Sequence, residues 1–236
     1  METTCIGLIV AAGSGSRMGT AVPKQLQELD GIPLAIHSGI QFRRIQSGME
    51  LVYVVSKGTE PVWQPLLDRY FPEGNVRCVE GGKTRYESVK NGIASLKGTE
   101  GLVAIHDAAR PFIRPKMLIR ALESALEHGN AVLAVPVKDS LRQLTSSGSS
   151  AVKRDDFFAV QTPQIFKLKD LKPVYQQVEN PLFTDDATVM ELAGYPIHLV
   201  EGSYHNIKIT TPDDWFIAER ILQHLNQTEP TTSPVS

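Results

Sequence analysis

Cysteine is scarce in this chain of 236 residues, which has only Cys5 and Cys78. So wide a separation gives neither the close spacing of a metal site nor a disulfide framework, and it suits a reducing compartment, the cytoplasm. Neither charge sign dominates, because 24 basic residues against 26 acidic ones leave a net charge of -2. No global field therefore draws the protein to nucleic acid or to an anionic membrane. No uninterrupted apolar run reaches membrane-spanning length. The apolar stretch 5–13 (CIGLIVAAG) ends in small residues, yet Glu2 and no Lys or Arg precedes it, so the positive segment of a secretory signal is missing. No Ser/His/Asp order, paired glycosidase acids or zinc-ligand spacing stands out either.

What is present alternates. Short apolar runs at 5–10, 51–55, 76–79, 102–106, 131–135 and 197–200 read as strands. Several are apolar at nearly every position, as a strand covered on both faces requires. Helix-like stretches lie at 34–45, 62–71, 84–96, 116–128, 167–178, 186–193 and 212–225. Thr84 with Glu87 has the spacing of a capping box, and Thr211-Pro212-Asp213-Asp214 combines a cap, a first-turn proline and dipole-complementing acids. Gly129-Asn130 is a helix stop. The alternation predicts an α/β protein, a Rossmann-like three-layer α/β/α sandwich around a mostly parallel sheet. Residues 137–160 break the rhythm with two strand-like arms around TSSGSS. A protruding β-hairpin is expected there, and it needs its own domain or another subunit to cover it. The organisation is thus one core domain over 1–136 and 161–225, an arm at 137–160, and a polar tail at 226–236 expected to be disordered.

The candidate chemistry sits where strands end. Glycines directly after the first strand, in Ala11-Ala12-Gly13-Ser14-Gly15-Ser16-Arg17, let backbone N–H groups approach phosphate oxygens. Met18 stands where a dinucleotide fingerprint needs its third glycine, Ser56-Lys57 lacks a ribose-holding acid, and no Walker pattern is present. Arg17 and Lys24 bring two cations to the same loop, which suits an anion, although a solvated surface is their ordinary place. Gly81-Gly82-Lys83-Thr84 leaves the third strand and opens a capped helix. Its N–H groups either meet a base edge or phosphate or simply turn the chain. Asp107, in HDAARPF at the tip of the fourth strand, lies along the crevice where open α/β sheets bind ligands. One carboxylate beside substrate phosphates is enough for Mg2+; the plainer alternatives are a helix cap or an ion pair with Arg110. His106 reads as structural. Thr162 and Thr184 read singly as caps or turn formers, and Arg154 as a solvated charge. Lys208 lies between Ile207 and Ile209, so it can point at a cleft while they point inward.

As a set, AAGSGSRMG with PKQ beyond it, GGKTRYES, HDAARPF, VKDS, AVQTPQ, FTDDAT and EGSYHNIKITTPDD resemble the 2-C-methyl-D-erythritol 4-phosphate cytidylyltransferase family, in order, from about residue 5 to 220. The resemblance implies transfer of the cytidylyl group from CTP, with Mg2+, to methylerythritol phosphate in non-mevalonate isoprenoid synthesis, releasing pyrophosphate. It also implies a homodimer interlocked by the hairpin arm. By position, Arg17 and Lys24 would neutralise the phosphates, and Ala11, Ala12, Gly13, Gly15, Gly82 and Ser88 would surround the nucleotide. Asp107 would lie near the metal and the reacting phosphates. Arg154, from the neighbouring subunit, and Lys208 would position the attacking phosphate; Ser140, Thr162 and Thr184 would line the acceptor pocket. Two departures stand out: Lys83-Thr84 replaces a common Asp-Glu, and Ser140 replaces a common Thr while keeping the hydroxyl.

Rival readings are ribitol-5-phosphate cytidylyltransferase, a sugar-1-phosphate nucleotidylyltransferase, and a catalytically silent nucleotide-sensing dimer. AAGSGSRMG and HDAARP lean to the methylerythritol group, and the short gap between Arg17 and Lys24 disfavours the sugar-1-phosphate group. Retention of Arg17, Lys24, Asp107, Arg154 and Lys208 disfavours the silent dimer, which fold alone cannot do.

Overall fold

The computed structural model describes residues 4–13, 22–177 and 183–228. In chain order the strands are β1 (Cys5–Val10), the short pair β2 (Glu28–Leu29) and β3 (Ile32–Pro33), β4 (Glu50–Val55), β5 (Val76–Glu80), β6 (Leu102–Asp107), β7 (Asn130–Pro136), β8 (Arg142–Thr145), β9 (Gly148–Ala151), β10 (Phe158–Lys167) and β11 (Leu199–Glu201). The helices are α1 (Leu34–Ile45), α2 (Glu60–Tyr70), α3 (Arg85–Ala94), α4 (Pro115–His128), α5 (Leu168–Gln177), α6 (Asp186–Leu192) and α7 (Pro212–Thr228). The central sheet has seven strands in the order β11-β7-β10-β6-β1-β4-β5. All neighbours are parallel except β10, which runs antiparallel to both β6 and β7.

Strand alternation feeds two cores. Ile6 and Leu8 of β1, with Val52 and Val54 of β4, pack under α3, α5 and α6. Cys5 and Ile9, with Leu51, Tyr53 and Val55, pack under α1, α2 and α4. Each Val, Leu, Ile or Phe fully buried this way contributes about 1.5–3 kcal/mol. Gly7 belongs to the second face and must stay small, since a Cβ there would lie 2.8 Å from Leu51 and 3.3 Å from Phe42. A third, smaller cluster seats α7 on Leu29, Leu34, Phe112 and Ile209. The expected three-layer architecture is therefore present.

The helix signals operate as expected. Glu87 N–H donates to Thr84 Oγ1 at 3.1 Å while Thr84 N–H donates to Glu87 Oε2, a complete capping box. Gly129 ends α4 in the left-handed region at φ 93°, a conformation that costs glycine least. Asp214 N–H donates to Thr211 Oγ1 at the start of α7.

Two features differ from expectation. The chain between the arm and α5 is a ten-residue strand, β10, whose polar centre Gln161-Thr162-Pro163-Gln164 hides it from an apolar search. The register slips between Val160 and Gln164, and such bulges re-aim side chains beside functional sites. The hairpin ladder proper is short, Arg142–Thr145 against Gly148–Ala151, while Phe158, Ala159 and Val160 already pair with β7. The expected disordered tail began at 226, but α7 continues through Thr228, and the rest of the tail, from residue 229, lies outside the described residues.

Candidate active site

Chain segments leaving β1, β5 and β6, together with the bulge of β10 and the 206–210 segment, frame a cleft with two lobes. The first lobe, about 440 Å³, is lined by Ala12, Gly13, Lys24, Gly82, Ser88 and Asp107 among others. The second, about 380 Å³, is lined by Arg110, Gln161, Thr162, Thr184 and Asp185 among others. Arg85, Asp107 and Lys208 line both lobes and form the wall they share.

Asp107 organises that wall. Arg85 Nε donates to its Oδ1 at 3.0 Å and Lys208 Nζ to its Oδ2 at 2.7 Å. Burial alone would raise the Asp107 pKa, but the Arg85 and Lys208 charges hold the carboxyl well below the usual carboxylate range. The expected alternative partner, Arg110, instead donates to the Asn206 carbonyl at 2.7 Å, and its Nε is buried without a hydrogen-bond partner among the described residues. Beneath the wall, Thr162 Oγ1 accepts the Asp107 backbone N–H at 3.0 Å and lies 3.2 Å from His106 Nδ1. His106 Nε2 lies 2.9 Å from the Arg110 carbonyl. Burial lowers the His106 pKa to about 4, so the ring is neutral, donating to Arg110 and accepting from Thr162. His106 is structural, as its sequence position suggested.

On the glycine-loop side, Lys24 is buried and donates to the Ile209 carbonyl at 2.6 Å, and Gln25 Nε2 donates to the Gly13 carbonyl. Gly81 must lack a side chain, since a Cβ would lie 2.6 Å from that of Ala12. The Gly82–Thr84 N–H groups are not free for a ligand. Gly82 donates to Ser88 Oγ at 3.1 Å, while Lys83 and Thr84 both donate to Glu87 Oε2. Ser88 and Glu87 thus take the donors that this turn seemed to offer.

Of the residues singled out in the sequence, Ala12, Gly13, Lys24, Gly82, Ser88, Asp107 and Lys208 come together in the first lobe. Thr162 and Thr184 join Asp107 and Lys208 in the second. Ala11 is buried behind the cleft, its N–H on the Val54 carbonyl. Ser140 and Arg154 are exposed on the arm and line neither lobe. Gly15 and Arg17 lie outside the described residues. Arg85 and Gln164 were passed over as site residues, and Arg110 was read only as an ion-pair partner for Asp107. Arg85 and Arg110 sit inside quoted motifs, and their place at a strand exit was the available signal.

An open α/β sheet whose strand ends carry a lysine-lined lobe, joined across a shared carboxylate to a second polar lobe, suits a nucleotidyltransferase, the class to which comparison with known proteins assigns the chain. The sequence matches the profile of the 2-C-methyl-D-erythritol 4-phosphate cytidylyltransferase family over residues 5–224. The enzyme of that name from Bacteroides thetaiotaomicron is 40% identical over 215 residues, covering 91% of this chain and 98% of its own. That of Halalkalibacterium halodurans is 40% identical over 218 residues, covering 91% and 95%. The crystal structure of 4-diphosphocytidyl-2C-methyl-D-erythritol synthase from Anaerococcus prevotii superimposes with a TM-score of 0.80 at 27% identity, covering 94% of this chain and 99% of that one. The Thermus thermophilus cytidylyltransferase gives 0.74 at 32% identity, covering 94% and 100%. The chain belongs to the 2-C-methyl-D-erythritol 4-phosphate cytidylyltransferase family.

Proposed function

We propose that this chain transfers the cytidylyl group of CTP to 2-C-methyl-D-erythritol 4-phosphate in isoprenoid biosynthesis, releasing pyrophosphate. The observation that carries this reading is the Arg85–Asp107–Lys208 wall between two polar lobes, an arrangement that would let two anionic ligands lie side by side. CTP occupies the glycine-loop lobe, with Ala12, Gly13, Gly82 and Ser88 around the nucleoside and Lys24, with Arg17, against the phosphates. The acceptor occupies the second lobe, with Thr162 and Thr184 against its polyol and Lys208 on its phosphate.

Joining two phosphate anions is opposed by their repulsion, so the work is alignment and neutralisation. An oxygen of the acceptor phosphate bonds to the α-phosphorus, the bond to the β-phosphate bridge breaks, and pyrophosphate leaves. That oxygen is already ionised at neutral pH, so no general base is needed; the neutral, buried His106 fits that absence.

The donor set suits a magnesium ion held jointly with CTP. Asp107 is an ionised carboxylate facing the first lobe, and Mg2+ usually takes one or two carboxylates plus substrate phosphates. Among the described residues no group of three or more His, Cys, Asp and Glu could hold a metal alone. Asp107 would hold the ion, and the ion would neutralise triphosphate charge.

The arm supports a homodimer. Leu144 is 85% exposed on the hairpin, and Phe157, Phe158 and Val160 are exposed at its base, apolar side chains that a second copy would cover. Arg154 rests on the Lys138 carbonyl at 2.7 Å in its own chain, and a partner's cleft would receive it together with Ser140. Both cysteines are free thiols, which supports the cytoplasm. Among the described residues no helix is long and apolar enough to cross a membrane.

The test is pyrophosphate release with Mg2+, CTP and either methylerythritol phosphate or ribitol 5-phosphate. Release with methylerythritol phosphate is expected. Release only with ribitol 5-phosphate, or with neither, overturns the reading in favour of the sister activity or the silent dimer.

A further inference from the structure

Arg85 lines both lobes, and we infer that it is a positioning residue for the transfer: it fixes the face Asp107 presents to the cleft and ties the acceptor lobe's Thr184–Asp185 wall to the nucleotide lobe. The inference rests on the assignment of CTP to the first lobe and the acceptor to the second.

Arg85 is the first residue of α3, directly after the glycine turn of the nucleotide lobe. Its Nε occupies Asp107 Oδ1 at 3.0 Å, so Oδ2 is the oxygen left toward Lys208. Its Nη1 and Nη2 grip Asp186 Oδ1 and Oδ2 at 3.0 and 2.8 Å. Asp186 is 1% exposed and opens α6, immediately after Thr184-Asp185. Tyr175 donates to Asp186 Oδ1 at 2.6 Å, and Gln164 Oε1 accepts the Asp186 and Ala187 N–H groups at 2.9 and 2.8 Å. Gln164 and Tyr175 anchor α6 to β10 and α5; Arg85 adds the tie to the nucleotide side. A planar guanidinium makes all three bonds at once, which a lysine ammonium on a flexible stem cannot reproduce. Freed from Arg85, Asp107 turns with Lys208, and the cation meant for the acceptor phosphate moves with it.

Arg85→Met alone strands the buried Asp186 charge and endangers folding. The decisive protein is therefore Arg85→Met combined with Asp186→Asn, assayed beside Arg85→Lys. Melting temperature, KM for CTP, KM for the acceptor and kcat are measured for each. The double variant is expected to melt near wild type and keep its KM for CTP within about threefold, while kcat/KM for the acceptor falls about 100-fold, the scale of an ångström-sized misplacement. Arg85→Lys is expected to show the same kinetic loss. Recovery of acceptor kinetics along with melting temperature in the double variant would reduce Arg85 to a counter-ion for Asp186 and overturn the inference. Wild-type acceptor kinetics in Arg85→Lys would do the same. Failure of the functional reading shows in the wild type, as no pyrophosphate release; failure of this inference shows only in the variants, against an active wild type.

Discussion

The wall between the lobes and the arm are built on opposite principles. In the wall every charged group has a fixed partner: Asp107 meets Arg85 and Lys208, and Arg85 also grips Asp186. Those bonds are made within one chain, and the Arg85 pairs lie in a low-dielectric setting that strengthens them. On the arm, every residue of β8 and β9 is exposed, and the only sheet contact of each strand is the other. A two-stranded hairpin is marginal alone. The wall is held by buried ion pairs, while the arm's own bonds, Arg142 to Ser149 and Arg154 to the Lys138 carbonyl, lie at an exposed surface. Preorganisation is thus concentrated in the wall.

The largest effect is expected inside the cleft. Lys24→Met keeps the buried stem and removes the ammonium. If Lys24 neutralises charge developing at the α-phosphorus, turnover should fall by about 3–4 kcal/mol of barrier, the scale of a lost oxyanion donor. Affinity for CTP, read by calorimetry, should change only severalfold. Unchanged turnover would remove Lys24 from the chemistry and leave it holding the Ile209 carbonyl.

The next effect tests how firmly the wall is seated. His106 has its pKa lowered to about 4 by burial, whereas an unfolded histidine titrates near 6.5. Above the unfolded value both states are neutral and stability is unaffected. Below it the unfolded chain takes up a proton that the folded chain refuses, so stability falls as pH drops from about 6.5 to about 4. The whole loss is roughly 3 kcal/mol. Burial lowers the His37 pKa as well, so the diagnostic is the difference between wild type and His106→Asn in urea titrations across that window. An equally steep pH dependence in the variant would acquit His106.

These contrasts also show what the sequence could disclose. The parallel strands were readable because a strand covered on both faces is apolar at nearly every position. β10 was not, because Gln161, Thr162 and Gln164 spend their polarity on the Ser203 carbonyl, on Asp107 N–H and on the start of α6. Asp107 was legible from its place at a strand end, and Lys208 from the isoleucines on either side of it. Arg85 was not, because a cation in a helix's first turn looks like surface charge, and its partners lie 22 and 101 residues away. Of the two readings the glycine pair left open, the turn is the one its hydrogen bonds favour: Gly81 N–H donates to the Val55 carbonyl and Gly82 N–H to Ser88 Oγ.

The arm offers the smallest effect and the sharpest test of the contrast. Suppose each cleft uses its own Lys24 and the Arg154 of a second copy. Mixing Lys24→Met chains with Arg154→Ala chains then gives heterodimers in which one cleft carries both defects and the other carries neither. Random pairing makes about half the dimers mixed, so about a quarter of all clefts should be intact. Pyrophosphate release should climb from the residual rate of either parent to that fraction of wild type as subunits exchange. An arm that served its own chain's cleft would leave every cleft in the mixture with one defect, and the rate would not rise. The wall predicts no such rescue for any pair of its members, since Asp107, Arg85 and Lys208 meet inside one chain, and a mixture of Lys208→Ala with Lys24→Met chains should stay at the parental rate.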